Sequence, residues 1–349
     1  MRKLIFTYLV VLMAVRTVLG QDIHFSQYFV APQLLNPSAF GVMNSFEAGL
    51  QYKGQWNSFT NGYTSFAAFA NKSFRSQKKA NSSKAYVSAG LNLIYDKAGS
   101  LPLTSFKAEI PVNVTKRVSN TGFLTAGLYV GFGQMAMHNN NLSWGNQFDG
   151  YQYNSSLGSN EVVAAQNKNY ADCGVGVSHV LFKDEKDGEK DMSLPRNMIG
   201  FSASHLNRPA YSLYGADVPL QMRFNFYEYY YLYFNNSDLS LVPSLLAQYQ
   251  GNAYELIVGA QIRRRFKDIA NPDKRSKYIG AGLFYRMGDV CAVNVMAEMS
   301  NYSLGINYDF NVSKLTSSSK SFGGLEISLK IVDPFRYSNK NAGTILEKF

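Results

Sequence analysis

Beyond Val15 the chain never assembles the roughly 18 consecutive apolar residues that a helix needs to cross a bilayer, which excludes a transmembrane helix there. Charge is scarce: 17% of the 349 residues are charged, against 46% hydrophobic and 14% aromatic. There are two cysteines, Cys173 and Cys291, too few for a disulfide framework and read as small apolar residues on strands. The four histidines, His24, His138, His179 and His205, include no pair at metal-ligand spacing and no HExxH. His179 and His205 fall near strand ends, where exposed or interfacial side chains are expected. A G-x-S-x-G elbow is missing as well. No catalytic residue, metal ligand or cofactor site is assigned, and the expectation is a non-enzyme.

Export is written into the start of the chain. Arg2 and Lys3 form a basic n-region, Leu4 to Val15 an apolar h-region, and Val18 and Gly20 suit a signal peptidase, so residues 1–20 read as a signal peptide. Arg16 interrupts the pattern. Removing Arg2, Lys3 and Arg16 lowers the formal charge from +10 to +7. In an exported protein with Lys and Arg scattered through turns, that excess does not indicate a nucleic-acid partner.

The dominant pattern has period two. In the stretch from Asn301, Tyr302, Leu304, Ile306, Tyr308 and Phe310 share one face, and Ser303, Gly305, Asn307, Asp309 and Asn311 share the other. Leu325, Ile327, Leu329 and Ile331 likewise alternate with Glu326, Ser328 and Lys330, and Phe46, Ala48, Leu50 and Tyr52 with Glu47, Gly49, Gln51 and Lys53. A soluble sandwich would hide the apolar faces, whereas a membrane barrel turns them outward to lipid, and one strand alone does not decide between them. Strands are predicted over 45–54, 61–74, 84–97, 102–118, 121–137, 170–182, 196–206, 220–234, 238–250, 252–266, 275–287, 290–299, 301–311 and 321–332. That is about fourteen, an even number, many near the ten residues a tilted membrane strand needs. The fold class is therefore all-β, a transmembrane antiparallel β-barrel of about 14 strands with an N-terminal plug-like segment.

The connections divide into tight turns at Ser119-Asn120, Asn235-Asn236, Gly251-Asn252, Met287-Gly288-Asp289 and Ser300-Asn301, and long polar loops over 138–169 and 207–219. With a periplasmic mature N-terminus, those two loops face outside, and the charged stretch 183–191 and the tail after Val332 face the periplasm. Four domains follow: residues 1–20, a signal peptide; 21–44, an N-terminal segment and candidate plug; 45–332, the barrel; and 333–349, a periplasmic tail.

Several residues invite functional readings. Phe25, Tyr28, Phe29, Leu34 and Leu35 are apolar but lie outside any strand, with Asn36-Pro37 punctuating them as a turn; they must be buried somewhere, and a plug in the lumen is the hypothesis. Glu47, Asp172, Glu255, Asp309 and Glu326 are candidate lumen charges that would pair with Lys53, Arg263 and Lys330, bracing the wall, fixing a plug or lining a substrate path. Tyr227, Tyr229, Tyr230, Tyr231, Tyr233 and Phe234 form the densest aromatic cluster, expected as an interface girdle rather than a packed core. Arg263, Arg264 and Arg265 read as a solvated turn or as a contact for lipopolysaccharide phosphates or a protein. Gly127, Gly131 and Gly133 read as small inward-facing strand residues, not a phosphate loop.

Together, QDIHFSQYFVAPQLLNPSAFG (21–41) with QYKGQW (51–56), YADCGVGVSH (170–179) with IGFSASHLNRP (199–209), and GINYDFNVSKL…GGLEISL (305–329) resemble the PorP/SprF family of type IX secretion system outer-membrane proteins of Bacteroidetes. The resemblance implies an outer-membrane barrel, in contact with its lipid, that assists secretion or surface anchoring of client proteins. Those clients are adhesins of the gliding machinery or proteins with a type IX sorting domain. It also implies periplasmic peptidoglycan-binding lipoproteins of the same system as partners. The residues after the last strand depart from a simple barrel ending, so either LEISLKI acts as an internal assembly signal or the tail reaches a periplasmic partner. The rival reading is an outer-membrane channel for small solutes; a barrel enzyme would need a clustered nucleophile and histidine, which the sequence lacks.

Overall fold

A computed structural model describes residues 23–56, 62–75, 85–99, 103–137, 144–158, 167–183, 195–213, 218–234, 237–266, 277–299, 301–313 and 316–335. The predicted signal peptide, the stretch 184–191 and the tail from residue 336 lie outside them. The strands are β1 (Asn44–Gln55), β2 (Tyr63–Ser73), β3 (Tyr86–Ala98), β4 (Leu103–Arg117), β5 (Gly122–Met137), β6 (Asn167–Phe182), β7 (Pro195–Ser204), β8 (Arg223–Tyr230), β9 (Leu232–Tyr233), β10 (Leu239–Gln250), β11 (Ala253–Phe266), β12 (Lys277–Arg286), β13 (Val290–Met299), β14 (Tyr302–Asn311) and β15 (Phe322–Pro334).

Every wall pairing is antiparallel, strands adjacent along the chain pair with one another, and one further pairing closes the ring: β15 with β1. β8 and β9 are two pieces of one wall position, both paired with β10 and separated by Tyr231, whose N–H donates to Arg196 O instead. The wall thus has fourteen positions, as the sequence pattern predicts. Closure matters physically because hydrocarbon offers no partner to an unpaired strand edge.

Alternation sets the orientation. On β14, Tyr302, Leu304 and Ile306 are 58%, 48% and 49% exposed, while Asn307 and Asp309 are 1% exposed. On β15, Leu325, Ile327, Leu329 and Ile331 are exposed, while Glu326 and Ser328 are buried. The apolar faces therefore point away from the protein and the polar faces into it, the inverse of a soluble sandwich and the arrangement that lipid stabilises. A proline interrupts one ladder: β3 pairs with β4 at Ala89–Val112 and at Asn92–Glu109 but not between, where Pro111 brings no N–H.

Some boundaries move. β6 begins at Asn167, inside the loop expected to run to Asn169, and β15 continues to Pro334, past the expected end at Val332. Phe335 carries the pairing one step further, its N–H donating to Met43 O, and packs with Tyr86 around the Arg75 guanidinium. Cys173 and Cys291 are free thiols.

The buried apolar cluster lies inside the ring: Tyr28, Leu35 and Val42 of the N-terminal segment meet Tyr227, Tyr229, Leu246, Ile257 and Phe284 of the wall. The girdle expectation therefore fails for Tyr227 and Tyr229, which are 0% and 3% exposed. Their strand parity turns them inward, where their rings receive Tyr28, stacked on Tyr229 at 5.8 Å between centroids. Phe234, on the other face, is exposed as expected.

Candidate functional site

The site is the lumen, and residues 23–43 run through it. Phe25, Tyr28 and Leu35 are buried, Phe29 packs against the same cluster, and Leu34 sits in a one-turn 3-10 helix over Pro32–Leu34. Asn36 is fully buried: its Nδ2 donates to Val177 O and Phe201 O on β6 and β7, and its Oδ1 accepts from the Ser38 N–H and hydroxyl. Pro37 follows, its carbonyl held by Asn113 of β4. All seven candidate plug residues thus lie inside the barrel.

Room for this segment comes from inward glycines. A Cβ on Gly176 would stand 2.0 Å from Asn36 Oδ1, and one on Gly127 would stand 2.7 Å from Pro37 O. Gly127, Gly131 and Gly133 do face inward, and Gly133 lies under the Tyr170 ring.

The segment spans the lumen from end to end. Its start is at the end where β1 finishes and β11 and β15 begin: His24 O accepts from Lys53 Nζ, and His24 Nδ1 lies 3.3 Å from Glu255 Oε2. Its finish is at the opposite rim, where Gly41 O accepts from the Tyr86 hydroxyl at the first residue of β3. Residue 23 and the first residue of β1 therefore sit at opposite ends, and β5 and β7 finish, and β6 and β8 start, at the end of residue 23. The expected placement of the chain start at the end opposite loops 138–169 and 207–219 is corrected accordingly, because counting strands from β1 leaves out the crossing of the lumen.

An ionic cluster grips the start of the segment. Lys53 Nζ is 3.0 Å from Glu326 Oε1 and 3.6 Å from Asp309 Oδ2. Glu326 accepts the backbone N–H groups of Ser26 and Gln27 at 2.7 and 2.9 Å, and Asp309 accepts the Ser26 hydroxyl at 2.8 Å. Arg286, with Nη2 2.7 Å from Ser26 Oγ, links Asp309, Glu255 and Asp289. Lys330 is 2.9 Å from Glu47 and donates to Val30 O.

Two expected pairings change. Arg263 faces inward but pairs with Glu298 at 2.6 Å and stacks over Tyr278, so it belongs to neither the plug cluster nor a solvated turn. Arg265 lies 3.5 Å from Asp238 Oδ1, and Arg264, on the outer face, covers Phe266. Asp172 pairs not with a lysine or arginine but with His205, Nδ1 to Oδ2 2.8 Å, while Tyr129 donates to the same oxygen at 3.0 Å. His205 is 1% exposed, against the expected surface position; β7 ends just before it and a left-handed backbone (φ +59°) turns it into the lumen. His179 keeps its half-buried outward place.

Arg286, His24, Asn113, Ser178, Ser202 and Asn225 are partners the sequence reading missed. Strand parity was the available signal for the wall residues: Arg286 shares the inward face of Gly280, Gly282 and Phe284. Nothing in the pattern marked which inward polar residues would meet the segment. Among the described residues no group of His, Cys, Asp and Glu is arranged to hold a metal ion.

Among solved structures the chain is similar in fold to the toluene transporter TbuX of Ralstonia pickettii (10% identity, 88% of this chain and 94% of that one, TM-score 0.47). It is also similar to a Pseudomonas aeruginosa FadL homologue (11%, 86% and 93%, 0.42) and to Omp33 of Acinetobacter baumannii (8%, 84% and 100%, 0.38). No curated protein matches. The family model described as type IX secretion system membrane protein PorP/SprF matches residues 17–331. A closed barrel with an apolar outer surface is what such an outer-membrane protein requires, and the chain belongs to the PorP/SprF family.

Proposed function

We propose that this barrel assists the secretion or surface anchoring of specific client proteins by the type IX system, without catalysing a reaction, and that residues 21–44 act as its plug. The clients in view are adhesins of the gliding type or proteins with a type IX sorting domain, and peptidoglycan-binding lipoproteins are the periplasmic partners, in a Bacteroidetes cell. The observation that carries this reading is a lumen filled by the chain's own segment, in a family whose description names secretion. A barrel so filled suits gated or anchoring work better than steady solute flow. The division into signal peptide, plug, barrel over 45–332 and tail over 333–349 belongs to the same proposal.

Two experiments test it. Deleting the gene should leave a neighbouring adhesin off the cell surface; normal display would refute the secretion role. In planar bilayers the intact barrel should pass little current, and removal of residues 23–40 should raise it. Unchanged current after that removal would sink the plug, and current through the intact barrel with matching solute uptake would favour a small-solute channel.

A further inference from the structure

The hydrogen bonds by which wall side chains hold the N-terminal segment fall chiefly on its backbone. The carbonyls of His24, Gln27, Val30, Gln33, Leu35, Pro37, Ser38, Phe40 and Gly41 each accept a hydrogen bond from a wall side chain. The donors stand on strands from β15 round to β8: Lys330, Gln51 and Lys53, Tyr86 and Asn92, Asn113, Ser178, Ser202 and Asn225, with Asn113 serving two carbonyls and Leu35 O accepting from both Ser202 and Asn225. A carbonyl is common to every peptide unit, so these hydrogen bonds carry no side-chain information. Hydrogen bonds of the segment's own side chains concentrate at Ser26, Gln27, Tyr28 and Asn36, and its apolar contacts at Tyr28, Leu35 and Val42.

A second observation points the same way. On β2, β3 and β4, Asn71 Oδ1, Ser88 Oγ, Asn92 Oδ1 and Asn113 Oδ1 are buried without a hydrogen-bond partner, and so are both polar atoms of the Gln33 side chain. Buried polar atoms of this kind each cost free energy until a donor or acceptor meets them. Asn71, Ser88, Asn92 and Asn113 thus set polar side-chain atoms into the lumen beside the groups that already hold the segment.

We infer that the lumen is a polypeptide-binding site in which residues 23–43 are an exchangeable occupant, and that a segment of another polypeptide, lacking regular strand or helix as residues 23–43 do apart from one 3-10 turn, takes the same place through its main-chain carbonyls and N–H groups. This inference rests on the secretion reading for the source of that polypeptide. The end-to-end path of the segment fits a threaded chain. Tethering gives the segment an effective concentration in the millimolar range, so a competitor enters when the tether's advantage is removed.

The test uses the full chain, folded first. A protease site inserted between Met43 and Asn44 is cut after folding, and heat-modifiable migration in gels reports that the barrel stays intact. Fluorescent peptides of residues 23–43, in native and in scrambled order, are then titrated in detergent. Both should exchange into the cut barrel, the native order binding about 10–100-fold more tightly through Tyr28 and Asn36. Asn113→Leu with Asn225→Leu should lower both affinities by about 10–100-fold, since three carbonyl bonds are lost. Binding of the native peptide alone, or failure of any peptide to enter the folded, cut barrel, would overturn the inference. Should cutting unfold the barrel, the same titration on intact chains carrying Tyr28→Ala, which frees the tether's aromatic anchor, gives the same two outcomes. Peptide binding is read without cells, so its failure leaves the secretion role to the gene deletion, and failure there leaves the binding site standing.

Discussion

Lys53 stands 3.0 Å from Glu326 and 3.6 Å from Asp309, with 3% of its side chain exposed. Neither carboxylate has lost its other partners, since both also meet Ser26 of the segment. Replacing this lysine by methionine leaves two buried negative charges with Arg286 as their remaining neighbour. The expected cost is about 3–5 kcal/mol, as for removal of one partner from a buried pair, measured by denaturant unfolding in detergent. Arg264→Met, on the outer face over Phe266, should cost about 0–1 kcal/mol in the same assay. Equal costs would mean that the lumen is wet enough to screen the cluster. Gly176 offers a steric counterpart: Gly176→Val places atoms where Asn36 Oδ1 lies. The segment should leave, so that residues 23–43 become protease-sensitive while the barrel keeps its heat-modifiable migration; a protected segment would count against its wall contacts as described.

At the scale of the strand, β14 carries the division between lipid and lumen in ten residues. Ile306, exposed near the middle of the strand, is expected to tolerate arginine badly, with a cost of about 2–4 kcal/mol at the bilayer midplane. Tyr302 opens the same strand at its rim, where the same change should cost about 0–1 kcal/mol. Unfolding in lipid vesicles measures both; a cost independent of position would argue that this face does not contact hydrocarbon. The strands themselves were legible because alternation at period two, sustained along a whole segment, matches the pleat of an extended chain and no helix. What alternation did not reveal is the break at Tyr231, where β8 ends and β9 begins, since the inward and outward residues keep their order across it.

The whole molecule is a ring whose centre is filled by its own N-terminal segment. Its outer surface is apolar enough that the protein should sediment with membranes and leave them only with detergent; recovery of the chain in a soluble fraction would refute the barrel. The plug-like segment was legible as a problem, because Phe25, Tyr28, Phe29, Leu34 and Leu35 had no strand to bury them. Where it went was not. The lumen closes only when β15 reaches β1, and only then do Asn113, Ser202 and Asn225 converge on one stretch of backbone.

By itself the sequence determined the strands, their two faces and the family, because side-chain alternation and motif order are local properties that survive without coordinates. Tertiary structure alone decided that Tyr227 and Tyr229 line the interior, that Arg263 meets Glu298 and Asp172 meets His205, and that residues 23–43 cross the lumen. Those outcomes depend on strand register and ring closure, which bring together residues hundreds of positions apart, such as Ser26 and Glu326. No local period encodes that distance.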